Sequence, residues 1–337
     1  MSDESSDQIS DEAMHAVGSD PAWSESYYFN FVDPETRVGM FTRMGFRPGN
    51  GWADGLHAIY LPGKRILFTY GRRDIGEDLT AYDGDLAAGD LRITCIDPHK
   101  RWRIDYDGPA QDIPNGEILL TRSKERPDGW FTPGRLTMSL TFDCLTEPHY
   151  AAKGEKGHFE QSGHVTGEIR VGGESWQVNG YGVRDKSWGP RDWGAGSRDN
   201  DTTTTTAAPA VGPTPFVNWF SMNFGDHAAL GGSAFRHKDG VIRGAGWLQR
   251  DGKSLELTNV VIESTYQADS ILHETVRLTG ETSEGEAIVI EGDVLSVCPT
   301  KIPMPGGATF VNEGLAEFRW EGRTGFGIAE HWHAIKL

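Results

Sequence analysis

The sequence predicts an all-β protein made of two successive antiparallel β-domains. Three observations carry that expectation. Short segments that alternate apolar and polar residues recur along the chain, the pattern of strands with one buried face. Glycine is abundant at 43 of 337 residues and aromatic residues make up 10%, which suits strands punctuated by turns and bulges. No long segment carries the 3.6-residue apolar period of an amphipathic helix.

The elements follow in order. Residues 1–22 hold Asp3, Glu4, Asp7, Asp11, Glu12 and Asp20 and no Lys or Arg, so they are expected to be a disordered, solubilising acidic tail. Residues 23–171 form the first domain. Its aromatic segments WSESYYFNFVD (23–33) and MFTRMGFRPGNG (40–51) read as core, with Arg43 an inward charge in need of a carboxylate partner. HAIYLPG (57–63), RILFTYG (65–71), LRITCID (91–97), RWRIDYDG (101–108), RLTMSLTFD (135–143) and SGHVTGEIRVGG (162–173) read as strands, and LLTRSKERPDGWFTPG (119–134) as a long hairpin loop. Residues 172–337 repeat the style. Their candidate strands begin with FVNWFSMNFGD (216–226) and AALGGSAFRHKDG (228–240). VIRGAGWLQRDG (241–252), ILHETVRLTG (271–280) and EAIVIEGDVLSV (286–297) follow, and GLAEFRWEGRTG (314–325) and FGIAEHWHAI (326–335) close the series. KDG and RDG are hairpin turns. The Thr-, Ala- and Pro-rich stretch 197–215 is expected to be an exposed loop.

Composition excludes several classes. A net charge of −17 argues against a nucleic-acid partner, because phosphate binding needs a basic surface. The acidic N-terminus is no signal peptide, and no apolar run is long enough for a membrane span. Three widely spaced cysteines, Cys95, Cys144 and Cys298, read as reduced, buried thiols of a cytoplasmic protein. Phosphate loop, nucleophile elbow, H-E-x-x-H and C-x-x-C motifs are all missing, so no cofactor and no metal is expected. The sequence gives no oligomeric state.

The segment G-Y-G-V-R-D-K-S-W-G-P-R-D-W (180–193) is the most informative. If it is a strand, Val183, Asp185 and Ser187 face one way and Arg184 and Lys186 the other. Asp185 could then enter a cavity walled by Trp188 and Trp193, with Gly189-Pro190 ending the strand. A charged turn with Arg191 and Asp192 as salt-bridge partners also fits this spacing. H-F-E-Q (158–161) puts His158 and Glu160 on one face and Gln161 on the other, either for acid–base work or as a solvated face. In F-G-I-A-E-H-W-H (326–333), His331 and His333 have a metal-ligand spacing without the further ligands a metal needs. Glu330 and Trp332 take the other face, expected to point into a barrel.

W-S-E-S-Y-Y-F (23–29), H-F-E-Q, the 180–193 segment and the closing G-F-G-I-A-E-H (325–331) together resemble the AttH/carotenoid 1,2-hydratase (hydroxyneurosporene synthase)-like superfamily, in its two-domain bacterial branch. The resemblance runs over residues 20–335, and R-D-x-S-W-G-x-R is its most specific motif. It implies two tandem lipocalin-like barrels with a ligand site in a barrel interior. It also implies a hydrophobic, unsaturated isoprenoid, terpenoid or polyketide-like substrate that is hydrated, isomerised or cyclised. The Asp before W-G, a proton donor in the hydratases, corresponds to Asp185. Where those enzymes carry an aromatic residue two positions earlier, this sequence has Val183, with Tyr181 four before.

The resulting expectation is a cofactor-independent enzyme. Asp185 is the acid, with Glu160 or His158 activating water. Tyr181, Trp188, Trp193, Arg184, Arg191, Arg43, Glu330 and Trp332 line the substrate. A carrier of an apolar metabolite and a carbohydrate-active β-protein remain alternatives.

Overall fold

The computed structural model describes residues 11–75, 86–191, 214–304 and 306–336. These residues form an all-β fold whose helical content is a few short 3₁₀ turns. The chain divides into two compact units, residues 1–115 with 128–191, and residues 116–127 with 192–337.

The first unit is built from β1 (Trp23–Val32), β2 (Gly39–Arg47), β3 (Trp52–Tyr60), β4 (Ile66–Asp74), β5 (Leu86–Ala88), β6 (Leu91–Asp97), β7 (Arg101–Ile113), β8 (Thr132–Cys144), β9 (His149–Ala152), β10 (Gly157–Val171) and β11 (Glu174–Pro190). They form one antiparallel sheet in the order β4-β3-β2-β1-β11-β10-β8-β7-β6-β5, with β9 beside β10. A further ladder, Ile66–Phe68 against Gln111–Ile113, joins β4 to β7 and closes the sheet on itself. Closure removes the exposed edges that an open sheet would leave. The inner wall carries Tyr27, Phe29, Phe31, Met40, Met44, Trp102, Ile104, Leu140 and Phe142. These occur at every second residue of their strands, as the alternation predicts.

The second unit is an up-and-down closed barrel of β12 (Val217–Asn223), β13 (Ala228–Arg236), β14 (Ile242–Arg250), β15 (Lys253–Tyr266), β16 (His273–Thr282), β17 (Ala287–Met304), β18 (Gly307–Trp320) and β19 (Arg323–Lys336). Phe220, Met222, Leu230, Leu248, Leu278, Ile290, Phe318 and Ala329 fill it. The RDG turn joins β14 to β15 with Asp251 at φ 50° and Gly252 at φ 77°, the two positive values a type I′ hairpin requires.

Several expectations need correction. The acidic start is no disordered tail over its described part: Asp11 and Glu12 are buried. Val171, the expected domain boundary, sits at the tight turn between the paired strands β10 and β11, and the units divide after Arg191. The segment 116–127, expected within a hairpin loop, belongs to the second unit, where Gln267 Nε2 donates to Glu117 Oε1 at 3.0 Å. Cys95 is exposed, and only Cys298 of the three free thiols is buried. Of the expected loop 197–215, residues 197–213 lie outside the described residues.

Candidate active site

Residues 180–190 of the 180–193 segment are strand, and their alternation gives β11 two different chemistries. Register places Glu160 opposite Asp185, Gln161 opposite Arg184, and His158 opposite Ser187. On the other side Tyr28 meets Asp185 and Phe29 meets Arg184. Arg184 and Lys186 therefore share the inner wall with Phe29 and Tyr27. Asp185 and Ser187 share the outer wall with Tyr28 and Ser26, so Asp185, expected in a cavity of the barrel interior, faces away from that interior, which Arg184 and Lys186 enter instead. Gly182 is what lets β11 lie against β1 here, because a Cβ at that position would fall 1.7 Å from the Asn30 carbonyl oxygen.

The inner wall is a closed set of ion pairs. Arg184, fully buried, donates from Nη1 to Glu12 Oε2 at 3.0 Å and from Nε to Gln161 Oε1 at 3.0 Å. Lys186 Nζ donates to the Asp11 carbonyl at 2.7 Å and to Glu25 Oε1 at 2.6 Å. Glu12 also accepts from the His99 backbone amide at 2.6 Å, and the Tyr27 hydroxyl donates to the Glu12 carbonyl. Residues 11–15 thus plug the interior: Glu12 neutralises Arg184 and backbone carbonyls cap Lys186, whose charge is met by Glu25 of β1. Burial pushes the Glu12 carboxyl up, but the Arg184 and His99 charges outweigh it and hold it below its ordinary value. Burial lowers the Lys186 ammonium against the pull of Glu25. Arg184, expected to touch substrate, is a structural anchor instead. Trp188 is also corrected: it faces the Lys186 side, stacked on His15 at 4.2 Å and packed with Phe159 and Trp23, away from Asp185. Trp193 lies outside the described residues.

The outer wall gathers the titratable groups suited to proton transfer. His158 Nε2 and Glu160 Oε1 are 2.9 Å apart. Asp185 is next to Glu160 in register and half-buried. Ser26 and Ser187 hydroxyls pair at 2.9 Å, and Arg43, opposite Tyr28, reaches Asp54 at 3.3 Å. Arg43, expected to point inward, lies on the outer wall because its inward neighbours are Met40 and Met44, and Asp54 is its carboxylate partner there. Burial pushes the Asp185 carboxyl up and Glu160 adds to this, against the opposing charges of His158, Arg191 and Arg43. Burial alone would lower His158, but the Glu160 hydrogen bond and the Asp185 charge win and raise it. His149, brought opposite Glu160 by β9, is lowered by burial.

His158, Glu160, Asp185, Arg43 and Arg191 therefore belong to one neighbourhood. Tyr181 lies on the same wall four residues from Asp185, its ring 5.0 Å from that of His164. Glu330 and Trp332 belong to the second unit and are hydrogen-bonded to each other. They lie on the outer wall of that barrel, since Ala329 and Phe220, one step along, pair inside it. The expectation that Glu330 points into the barrel is overturned, and His331 and His333 point inward instead. Among the described residues no three His, Cys, Asp or Glu side chains converge as a metal would require. His149, Tyr28, Asp54 and Glu12 escaped the sequence reading, because their roles depend on register or on long-range contact.

No curated protein sequence matches the chain. Among solved structures, an AttH-like protein from Nitrosomonas europaea aligns with TM-score 0.59 and 16% identity, covering 91% of this chain and 92% of that one. Kievitone hydratase from Nectria haematococca aligns with TM-score 0.52 and 8% identity, covering 93% and 88%. CghA aligns with TM-score 0.50 and 12% identity, covering 94% and 89%. At these identities the likeness shows a shared AttH-like, lipocalin-type fold. At the level of sequence families, residues 8–335 match a domain of unknown function (DUF7064), and since that match takes in nearly the whole chain, the protein belongs to this family.

Proposed function

We propose that the protein is a cofactor-independent enzyme that protonates an unsaturated, largely apolar small molecule and so starts its hydration, isomerisation or cyclisation. The observation that carries this reading is the outer-wall trio. Asp185 is biased toward its protonated form by burial, beside a hydrogen-bonded His158–Glu160 pair. Protonating an alkene needs a neutral acid, and burial is the means by which a carboxyl stays neutral and able to donate. In hydration, the Asp185 proton goes to one alkene carbon and leaves a carboxylate and a carbocation. Water adds to the cation and gives its proton to the His158–Glu160 pair, from which it returns to Asp185. Tyr28, on the same wall, offers a ring face to the cation, worth about 0.5–2 kcal/mol. The presence of a hydratase among proteins of this fold supports the reaction class; the substrate is not specified by it.

Asp185→Asn tests the assignment. It keeps shape and removes the donated proton, so the variant is expected to fold and bind ligand while turning over about 10²–10⁴-fold more slowly. Turnover should also decline as pH rises and Asp185 loses its proton. A destabilised variant with normal turnover per folded molecule would make Asp185 structural. Ligand binding without any product would identify a carrier. The three free thiols suit a reducing cytoplasm, and recovery of the protein from the medium rather than the cell lysate would contradict that location.

A further inference from the structure

A second polar cluster lies inside the second barrel, built from residues that the Asp185 chemistry does not use. Asn218, His331 and Asn312 form a row across β12, β19 and β18. They are on the inner wall, in step with Phe220 and Ala329 of the core. His273 lies flat on this row, its ring 3.9 Å from that of His331, with Nε2 donating to the Ala329 carbonyl at 2.9 Å. Gly314 makes the room, because a Cβ there would sit 2.3 Å from His273 Nε2. His333 follows on β19, and the half-buried Tyr266 closes the group. The Tyr266 hydroxyl pairs with His331 Nδ1 at 3.2 Å and its ring is 5.9 Å from that of His333.

Much of this cluster lacks protein partners. Both ring nitrogens of His333, both amide atoms of Asn218, His273 Nδ1 and Asn312 Oδ1 have no hydrogen bond among the described residues. Asn218 is 1% exposed and His333 2%. Unpartnered polar atoms this deeply buried are rare in a folded protein and call for an occupant.

The chemistry of the unpartnered atoms selects that occupant. Burial lowers His273 to about 4 and His333 to about 3, so the rings are neutral at pH 7. Because His273 Nε2 donates to Ala329, its Nδ1 is an acceptor. With the two amide oxygens and one nitrogen of His333, that makes four acceptors. Against them stand the Asn218 amide and one His333 N–H. An anion needs donors and finds too few. A cation finds no carboxylate among these residues and meets the opposing charge of Arg236, which also acts on His333. Hydroxyl groups both donate and accept, and they fit this balance.

We propose that this end of the second barrel is a binding site for a small uncharged molecule bearing hydroxyl groups, independent of the Asp185 chemistry. The test uses phenol and ethylene glycol as neutral probes, and acetate and methylammonium as charged ones, at pH 7. They are titrated against the nitrogen resonances of the His273 and His333 rings in the full chain. Both hydroxyl probes are expected to shift these resonances saturably, and the charged ones to leave them unmoved. His333→Phe retires two unpartnered nitrogens. It should abolish the response and raise the Tm of the ligand-free protein by about 2–4 °C. Asn218→Leu should weaken the response at least tenfold without removing a ring, and Asp185→Asn should leave it intact. Ring resonances indifferent to both hydroxyl probes, or equal binding of the charged probes, would overturn the proposal. A fall in Tm for both His333→Phe and Asn218→Leu would do so too, marking a cluster sealed by permanent water.

Discussion

Arg184 sits where no water reaches it, so Glu12 carries the burden of its charge. Removing one partner of such a buried pair costs about 3–5 kcal/mol, because the other is left uncompensated. Glu12→Gln is therefore expected to lower stability by about that much in denaturant unfolding. The pH dependence follows from the direction of the shift. The Glu12 carboxyl is held below its ordinary 4.5 in the folded protein. Its contribution is present above pH 4.5 and is lost as the pH falls from there through the folded value. Tm should drop on acidification below about pH 4.5, and Glu12→Gln should flatten that slope; an unchanged slope would contradict the pairing. None of this was legible in the sequence. Glu12 and Arg184 are 172 residues apart, and nothing local distinguishes Glu12 from the five other acids of the first 22 residues. The His158–Glu160 pair was legible because it rests on a two-residue period within one strand.

At the scale of elements, the junction of β1 and β11 depends on one missing side chain. Gly182→Ala would drive a methyl into the Asn30 carbonyl, which also lies beside the bond from the Val183 amide to Asn30 Oδ1. Overpacking of this kind costs about 1–3 kcal/mol. The variant should lose that stability, and the displaced β11 should lower turnover through Asp185. A variant of unchanged Tm and activity would show that the strands part without consequence. Alternation placed most strands correctly, yet β15 escaped it. Its bulge between Thr258 and Val261, with Asn259 at φ 53°, breaks the two-residue period. For β19, alternation separated Glu330 from His331 but could not say which side was inside, because both are buried. Trp188 had the same parity as Arg184 from the start, so its distance from Asp185 was legible and outweighed only by its nearness in sequence.

At the scale of the molecule, the described strands of the first unit end with β11, which stands between β1 and β10. A fragment ending at Val171 would lack that strand and both inner cations, leaving two long edges open to aggregation. A fragment ending at Arg191 would retain every ladder of the first sheet. Expressed separately, the longer fragment should stay dispersed with a strand-type circular dichroism spectrum, and the shorter should precipitate. Equal behaviour of the two would refute the division after Arg191. The fold class and the number of domains were readable from turn spacing. The boundary was not, because the Gly172-Gly173 turn looks like a linker in sequence and works as a hairpin in space.

The plug formed by residues 11–15 also has a consequence for biosynthesis. Glu12 leaves the ribosome long before its partner exists. At about 5–20 residues per second, Arg184 is added roughly 9–35 s later, so the first barrel cannot be sealed while the nascent chain is short. The order of synthesis and the order of closure differ: Glu12 is made well before Arg184 and is locked in place only once Arg184 has joined the sheet.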